Sequence, residues 1–251
     1  AFVEKLKGHV SFVTACPEAE IGLGIPRDPI RIVFRDDEYR LMQLNTGRDL
    51  TDKMRGYCRD LLDNMGEVDG FILKDRSPSC GIKDVKVYPS IEPGAVIKRT
   101  DGFFGGEVIS RYPGLPVETD GRLSNLILRE SFLTKIYTFA KFRQMSSRPL
   151  MKELVDFHAD NKFLLMAYNQ KVMRQMGQIV ANHDKKPVEQ VFSDYREKLQ
   201  EALTGLARYR ANINVMMHAL GYFSKKLTAD EKKFFLNTLE EYRREQAPLS
   251  V

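Results

Sequence analysis

The chain has 251 residues, 43% hydrophobic and 29% charged, and this composition is typical of an ordinary globular protein. It contains no run of the ~20 apolar residues that a membrane-spanning helix needs, and its three cysteines are too few and too scattered for a disulfide framework. We therefore expect no membrane association and a cytoplasmic location, where thiols stay reduced or bind metal.

Charge is distributed unevenly along the chain. The formal net charge is +5, yet residues 1–120 carry 17 Lys and Arg against 20 Asp and Glu. Residues 121–251 carry 22 against 14, a net charge of +8. A basic half favours a polyanionic partner such as nucleic acid, although a moderate excess of cations is also common on a soluble surface.

Residues 1–118 predict an α/β domain. The short β-rich runs in this part are HVSFVTAC (9–16), IRIVF (30–34), GFILK (70–74) and VKVY (85–88). An amphipathic helix is predicted over roughly 48–66, which gives the strand–helix–strand order of a parallel-type sheet with flanking helices. Because reactive loops lie at the carboxyl ends of such strands, we expect the loops after 11–13 and 70–73 to share one sheet edge.

Residues 119–251 predict an all-α helical bundle domain of five or six helices. Apolar residues recur there with a period close to 3.6, and a joint between the two domains is predicted near 112–120. Pro187 suits the first turn of one helix, and Thr228 with Glu231 fits the capping box that opens another.

Two of the cysteines lie in loops rich in turn-forming residues. Cys16 is in TACPE and Cys80 is in KDRSPSCG, whereas Cys58 lies inside the predicted helix and is interpreted as structural. The hydroxyls of Ser77 and Ser79 are suited to hydrogen-bond a metal-bound thiolate. The alternative is an inert thiol at a strand end, and two cysteines alone do not complete a zinc or iron–sulfur site.

Several cations are candidates for contact with a substrate or RNA. Arg27 ends the glycine-rich segment 22–27 and Arg31 follows it, and both are suited to phosphate, or else belong to a solvated edge strand. Lys162 lies among basic and aromatic residues of the helical half, a pattern typical of RNA contact but also of a bundle core. Lys74, which precedes the Cys80 loop, completes this set of candidates.

Taken together, these motifs resemble a known family. The string CPE-x-x-x-GLG-x-PR-x-P-x-R (16–31) and the string GFILK-x-RSPSCG (70–81) resemble the thiouracil desulfidase domain. The strings LVDFHADNKFLLMAYN (154–169) and NVMMHALGYFSKKL (214–227) resemble the helical domain fused to it in RudS-type tRNA 4-thiouridine desulfidases.

The resemblance implies a non-redox enzyme that removes sulfur from 4-thiouridine in tRNA and leaves uridine. It implies a [4Fe–4S] cluster held by three cysteines, whose open iron accepts the thiocarbonyl sulfur while water adds to C4. By the matching motifs, Cys16 and Cys80 are two of these ligands, and the third cysteine is expected upstream of Ala1.

Three polar residues near these cysteines receive roles from the same resemblance. Glu18 is the candidate base, and Ser77 or Ser79 is expected to orient the water or the substrate, although all three also suit turn-forming or capping roles. The alternatives are a desulfidase for free thiouracil or its nucleotide, and a non-catalytic RNA-binding protein with structural cysteines. The sequence predicts no protein partner.

Overall fold

The computed structural model describes residues 2–244 and 246, and it divides into two compact units, Ala1–Tyr137 and Thr138–Val251. The predicted fold class is confirmed, since an α/β part is followed by helices alone. In the described part of the chain, no helix is both long enough and apolar enough to cross a membrane. The predicted domain boundary at 118/119 stays a prediction, and the two units divide within a helix.

The first unit contains six short strands and three helices, together with the start of a fourth. In chain order these elements are α1 (Phe2–Leu6), β1 (Ile30–Arg35), β2 (Glu38–Gln43), α2 (Thr51–Asn64), β3 (Phe71–Leu73), β4 (Val85–Tyr88), β5 (Lys98–Thr100), α3 (Phe103–Arg111), β6 (Val117–Thr119) and α4 (Leu126–Ser146).

The strands form two sheets. The larger sheet has the order β2-β1-β4-β5, in which β1 and β4 are parallel and the two outer pairings are antiparallel. The smaller sheet pairs β3 with β6 in parallel. The larger sheet is therefore mixed, with its parallel pairing at the centre.

Helix α2 covers the larger sheet with a buried stripe. Met54, Cys58 and Leu62 are spaced four residues apart, which places them on one face of the helix, and each is at most 4% exposed. The start of α2 is fixed to β2, because the Leu41 amide donates to Thr51 Oγ1 at 2.9 Å. Cys58 thus belongs to the hydrophobic core.

The predicted strand over 9–16 is wrong. Residues 11–16 have no strand partner, and Val13 is 70% exposed. A run of alternating apolar residues becomes a strand only when a neighbouring strand accepts its hydrogen bonds. The chain instead enters a helical turn at Ala19–Leu23. The expectation that both cysteine loops share one sheet edge is also wrong, because no strand precedes Cys16 among the described residues and the strand before Cys80, β3, belongs to the smaller sheet.

Beyond α4, which spans the division, the second unit holds α5 (Met151–Ala181), α6 (Val188–Ala202), α7 (Tyr209–Phe223) and α8 (Ala229–Arg243). The rings of Phe142, Phe157 and Tyr195 form a buried cluster between these helices, with centroids 5.5 to 6.1 Å apart. The predicted capping box is confirmed, because the Thr228 amide donates to Glu231 and the Glu231 amide donates to Thr228 Oγ1.

Candidate functional site

The loop that carries Cys80 is wound around Ser77. The hydroxyl oxygen of Ser77 accepts hydrogen bonds from the amides of Ser79 at 3.2 Å and Cys80 at 3.3 Å. Its carbonyl accepts from the Gly81 amide at 2.8 Å. These bonds explain why serine stands three residues before the cysteine, since side-chain hydroxyls of this kind close tight turns.

The backbone amides at the start of α3 hydrogen-bond to the same loop. The amides of Phe104 and Gly105 both donate to the Ser79 carbonyl, at 2.8 and 3.0 Å, and the Gly102 amide donates to the Gly81 carbonyl at 2.8 Å. These helix N-terminal amides, which have no partner within the helix, are satisfied by the cysteine loop.

Glycine is required on both sides of this contact. A Cβ at Gly102 would lie 2.5 Å from the Ser79 carbonyl oxygen, and a Cβ at Gly105 would lie 2.4 Å from the Gly81 carbonyl oxygen. At Gly81 itself, a Cβ would lie 2.4 Å from the Val85 side chain. The glycine directly after Cys80 is therefore a packing requirement of the loop.

Cys16 begins the helical turn that carries Glu18. The Cys16 carbonyl accepts from the amides of Ala19 and Glu20, each at 3.0 Å, and Ile21 anchors the turn in the core at 3% exposure. Glu18 lies between these fixed points, and its side chain is only 15% exposed.

The Glu18 carboxylate joins the two cysteine loops. One oxygen accepts from the hydroxyls of Ser79 at 2.6 Å and Ser77 at 3.0 Å. The other oxygen pairs with Arg27 Nε at 2.9 Å. Arg27 also donates through Nη1 to Cys16 Sγ at 3.5 Å, and Ser79 Oγ lies 3.6 Å from Cys80 Sγ. A continuous chain of polar contacts therefore runs from one thiol to the other.

The two serine hydroxyls have one proton each to share among these contacts. Their oxygens lie 2.8 Å apart. When the Ser79 hydroxyl donates its hydrogen bond to Glu18, the Ser77 hydroxyl donates its own either to Glu18 or to the Ser79 oxygen. Ser79 is 1% exposed, so its position is fixed by the surrounding loop.

Burial distinguishes the thiols from one another. Burial raises the pKa of Cys80, with the Ser79 hydroxyl opposing that shift and the negative charge of Glu18 adding to it. Burial also raises the pKa of Cys58 to about 12, as expected for an inert core thiol. Cys16 and Cys80 are partly exposed, whereas Cys58 is 2% exposed.

The structure brings together six of the residues predicted from the sequence and leaves three elsewhere. The assembled set is Cys16, Glu18, Arg27, Ser77, Ser79 and Cys80. Arg31 donates instead to the carbonyls of Ile91 and Glu92, and Lys74 pairs with Asp120 at 2.6 Å. Lys162 lies on α5 in the second unit.

Sequence reasoning missed the supporting glycines and one aromatic residue. Tyr57 precedes Cys58 on α2; burial raises the pKa of Tyr57, and the negative charge of Glu20 raises it further. Two features of the sequence could have pointed to these residues. One is the pattern GFFGG at 102–106, and the other is the Tyr57–Cys58 pair in the predicted amphipathic helix over 48–66.

A cavity of about 640 Å³ in the first unit is lined in part by Arg55, Cys58, Arg59 and Phe103. Neither Cys16 nor Cys80 lines it. Within residues 2–244 and 246, no three His, Cys, Asp or Glu side chains are grouped as metal ligands would be. Cys16 and Cys80 therefore offer two sulfur donors, and the described residues add no third ligand beside them.

Comparisons with known proteins find similarity for two separate parts of the chain. Residues 1–120 match the 2-thiouracil desulfurase family, and residues 162–251 match DUF1722, a family described as a protein of unknown function. The uncharacterized protein YbgA of Escherichia coli (strain K12) is 27% identical over 122 residues, which is 48% of this chain and 72% of that protein. Among solved structures, the [4Fe-4S]-dependent thiouracil desulfidase TudS is 26% identical, with a TM-score of 0.37 over 52% of this chain and 81% of that chain.

Proposed function

We propose that this chain, in which a 2-thiouracil desulfurase domain precedes a DUF1722 domain, is a desulfidase that converts 4-thiouridine in tRNA to uridine. The observation that supports this proposal is the carboxylate of Glu18, held between two thiol-bearing loops by Ser77, Ser79 and Arg27. A base beside a pair of soft donors suits hydrolysis of a carbon–sulfur double bond.

The two thiols fit two of the ligands that an iron–sulfur cluster needs. Cys16 and Cys80 are free and partly exposed, and the polar contacts around them match the hydrogen bonds that metal-bound thiolates receive. We propose that they hold a [4Fe–4S] cluster together with a further ligand from outside the described residues. When bound, that cluster supplies a Lewis-acidic iron that polarises the thiocarbonyl group.

Glu18 is the proposed base in the hydrolytic step. Its carboxylate takes a proton from water, whose oxygen forms a bond with C4 of the thiouracil ring. As this bond forms, the π electrons of the C=S bond move onto sulfur, and Glu18 returns its proton to that sulfur. The remaining carbon–sulfur bond then breaks, sulfur leaves with the electron pair as hydrosulfide, and the new hydroxyl group on C4 loses its proton to Glu18 and becomes the C=O group. One water is consumed for each C=S converted to C=O, and no electrons are gained or lost.

Ser77, Ser79 and Arg27 act as positioning residues in this proposal. The two hydroxyls fix one carboxylate oxygen of Glu18 and the guanidinium fixes the other. A carboxylate anchored on both oxygens has little rotational freedom, and this orientation is what efficient proton transfer requires.

The charge of the second half supports tRNA as the substrate. Residues 121–251 carry a net charge of +8, and a cationic helical region attracts a polyanion through release of counterions. The second candidate function is desulfuration of free thiouracil or its nucleotide. The match of residues 1–120 to the 2-thiouracil desulfurase family favours that small substrate.

The experiment compares these substrates directly. The protein is expressed from its complete gene, purified without oxygen, and incubated with 4-thiouridine-containing tRNA, 4-thiouridine monophosphate or free 4-thiouracil. Mass spectrometry of nucleosides and bases then follows the loss of sulfur. We expect a higher kcat/KM for tRNA, and we expect only the tRNA reaction to slow steeply as salt rises.

Two results would contradict the proposal at different levels. An equal or higher kcat/KM for free thiouracil would support the second candidate function. A colourless, iron-free protein that leaves sulfur on every substrate would contradict the desulfidase itself and favour structural cysteines.

A further inference from the structure

The end of α7 presents large aromatic side chains to solvent. Tyr222 is 69% exposed and Phe223 is 58% exposed, which is unusual for adjacent aromatic residues in a packed helical unit. Tyr222 does not stand alone, because its ring meets that of Phe163 on α5 edge to face, with centroids 5.9 Å apart. Two helices thus contribute to one aromatic surface.

Lysines flank this surface on both helices. Lys162 precedes Phe163, while Lys225 and Lys226 follow Phe223 after one serine, and all three lysines are exposed. Within residues 2–244 and 246, none of the three forms an ion pair. We name this surface the α5–α7 patch and define it as Lys162, Phe163, Tyr222, Phe223, Lys225 and Lys226.

The aromatic residues of the buried ring cluster in the second unit are not available for such a role. Phe157 is 2% exposed and Tyr195 is fully buried, and both belong to the ring cluster of the core. On α5, the ring of Phe163 contacts the exposed ring of Tyr222 on α7, and the exposed Lys162 precedes Phe163 in the sequence.

We propose that the α5–α7 patch binds RNA, with its exposed rings stacking on unpaired bases and its lysines neutralising adjacent phosphates. Stacking of bases on aromatic side chains beside cations is how proteins hold single-stranded nucleotides such as those of tRNA loops. The inference rests on the proposed function, and it names the surface that grips the tRNA substrate.

The composition of the patch favours RNA over a protein partner. Lysine is depleted in the centre of protein–protein interfaces, where aromatic residues are otherwise common. The α5–α7 patch contains three lysines and no acidic residue, and the next acidic residues along the chain, Asp230 and Glu231, lie in the first turn of α8. Charge complementarity to a phosphate backbone is therefore the better match.

The test measures binding of a fluorescently labelled, unmodified tRNA transcript by anisotropy at several salt concentrations. Tyr222→Ala is expected to raise the Kd about tenfold, since loss of one stacked base is worth about 1–3 kcal/mol. Tyr222→Phe keeps the ring and is expected to bind like wild type. Lys225→Ala/Lys226→Ala is expected to weaken binding and to reduce the slope of log K against log salt by roughly 2.

A matched control removes two lysines from α5 outside the α5–α7 patch. Lys152 and Lys171 are exposed, and the double variant Lys152→Ala/Lys171→Ala is expected to change the Kd by no more than about twofold. An equal loss of affinity in this control would overturn the inference, because overall charge would then explain the binding. Wild-type affinity in Tyr222→Ala would overturn it as well, and so would self-association that depends on Tyr222 while RNA binding does not.

Sulfur removal from free 4-thiouracil is measured in the same variants. We expect it to be unchanged, since all of these substitutions lie in the second unit and none replaces a residue of the cysteine site. If Tyr222→Ala bound tRNA normally and still removed its sulfur, this inference alone would be contradicted. Patch-dependent RNA binding by a wild-type protein that desulfurates no substrate would contradict the proposed function alone.

Discussion

Gly105→Ala is the substitution that most directly probes the support of the Cys80 loop. The added Cβ would lie 2.4 Å from the Gly81 carbonyl oxygen and 2.7 Å from the Cys80 carbonyl oxygen. Contacts under 3.0 Å essentially never occur for real Cβ atoms. Both obstacles are backbone atoms, so either the loop or the first turn of α3 must move by roughly 1 Å.

The energetic cost follows from two opposing effects. Overpacking of this kind costs about 1–3 kcal/mol, and loss of a loop-to-helix hydrogen bond adds about 0.5–1.5 kcal/mol. Alanine recovers about 1 kcal/mol through its better helix propensity. We therefore expect a net destabilisation of about 1–3 kcal/mol, together with displacement of the Cys80 thiol.

Urea unfolding measures the loss of stability, and iron content after anaerobic reconstitution measures the consequence of moving the Cys80 thiol. The control is Gly56→Ala in the middle of α2, where an added Cβ has no atom within 4 Å and stability is expected to rise by about 0.5–1 kcal/mol. If Gly105→Ala were as stable as Gly56→Ala and bound as much iron, the packing argument for the loop would be wrong.

The remaining predictions concern the base and the core thiol. Glu18→Gln keeps the size of the side chain but removes the base, so we expect kcat/KM for sulfur removal to fall by about 10²–10⁴ with iron content unchanged, and near-normal turnover would contradict the role of Glu18. Because the pKa of Cys58 is raised to about 12, almost no thiolate forms at pH 8. Iodoacetamide should therefore leave Cys58 unlabelled in the native protein and label it in urea, as peptide mass spectrometry will report. Fast native labelling would show that the α2 stripe is open to solvent.

Local patterns in the sequence predicted much of the fold. The helix expected over roughly 48–66 is α2, Thr51–Asn64, and the capping box of α8 forms as expected. Residues 9–16 were misassigned because apolar alternation does not reveal whether a partner strand exists. The candidate site was also largely predictable, since Glu18, Ser77 and Ser79 lie within a few residues of the cysteines that they adjoin.

The features that sequence reasoning missed depend on contacts between distant segments. Gly102 and Gly105 lie more than twenty residues after Cys80, and only the folded chain shows that their missing side chains admit the loop. The contacts of the Arg27 guanidinium with Glu18 and Cys16 were not predicted, and its predicted contact with phosphate or RNA stays a prediction. The spacing of cations along a chain does not distinguish an external phosphate from an internal carboxylate. The catalytic and ligand roles of the site residues remain predictions.

The central claim is that Cys16 and Cys80 together support removal of sulfur from 4-thiouridine. The most direct measurement is the 4-thiouridine content of tRNA after incubation with anaerobically prepared wild type, Cys16→Ala, Cys80→Ala and Cys58→Ala, determined by nucleoside mass spectrometry. We expect wild type and Cys58→Ala to convert 4-thiouridine to uridine, while the other two variants lose both iron and activity. Conversion by Cys80→Ala at the wild-type rate would contradict the proposed role of Cys80 as a cluster ligand.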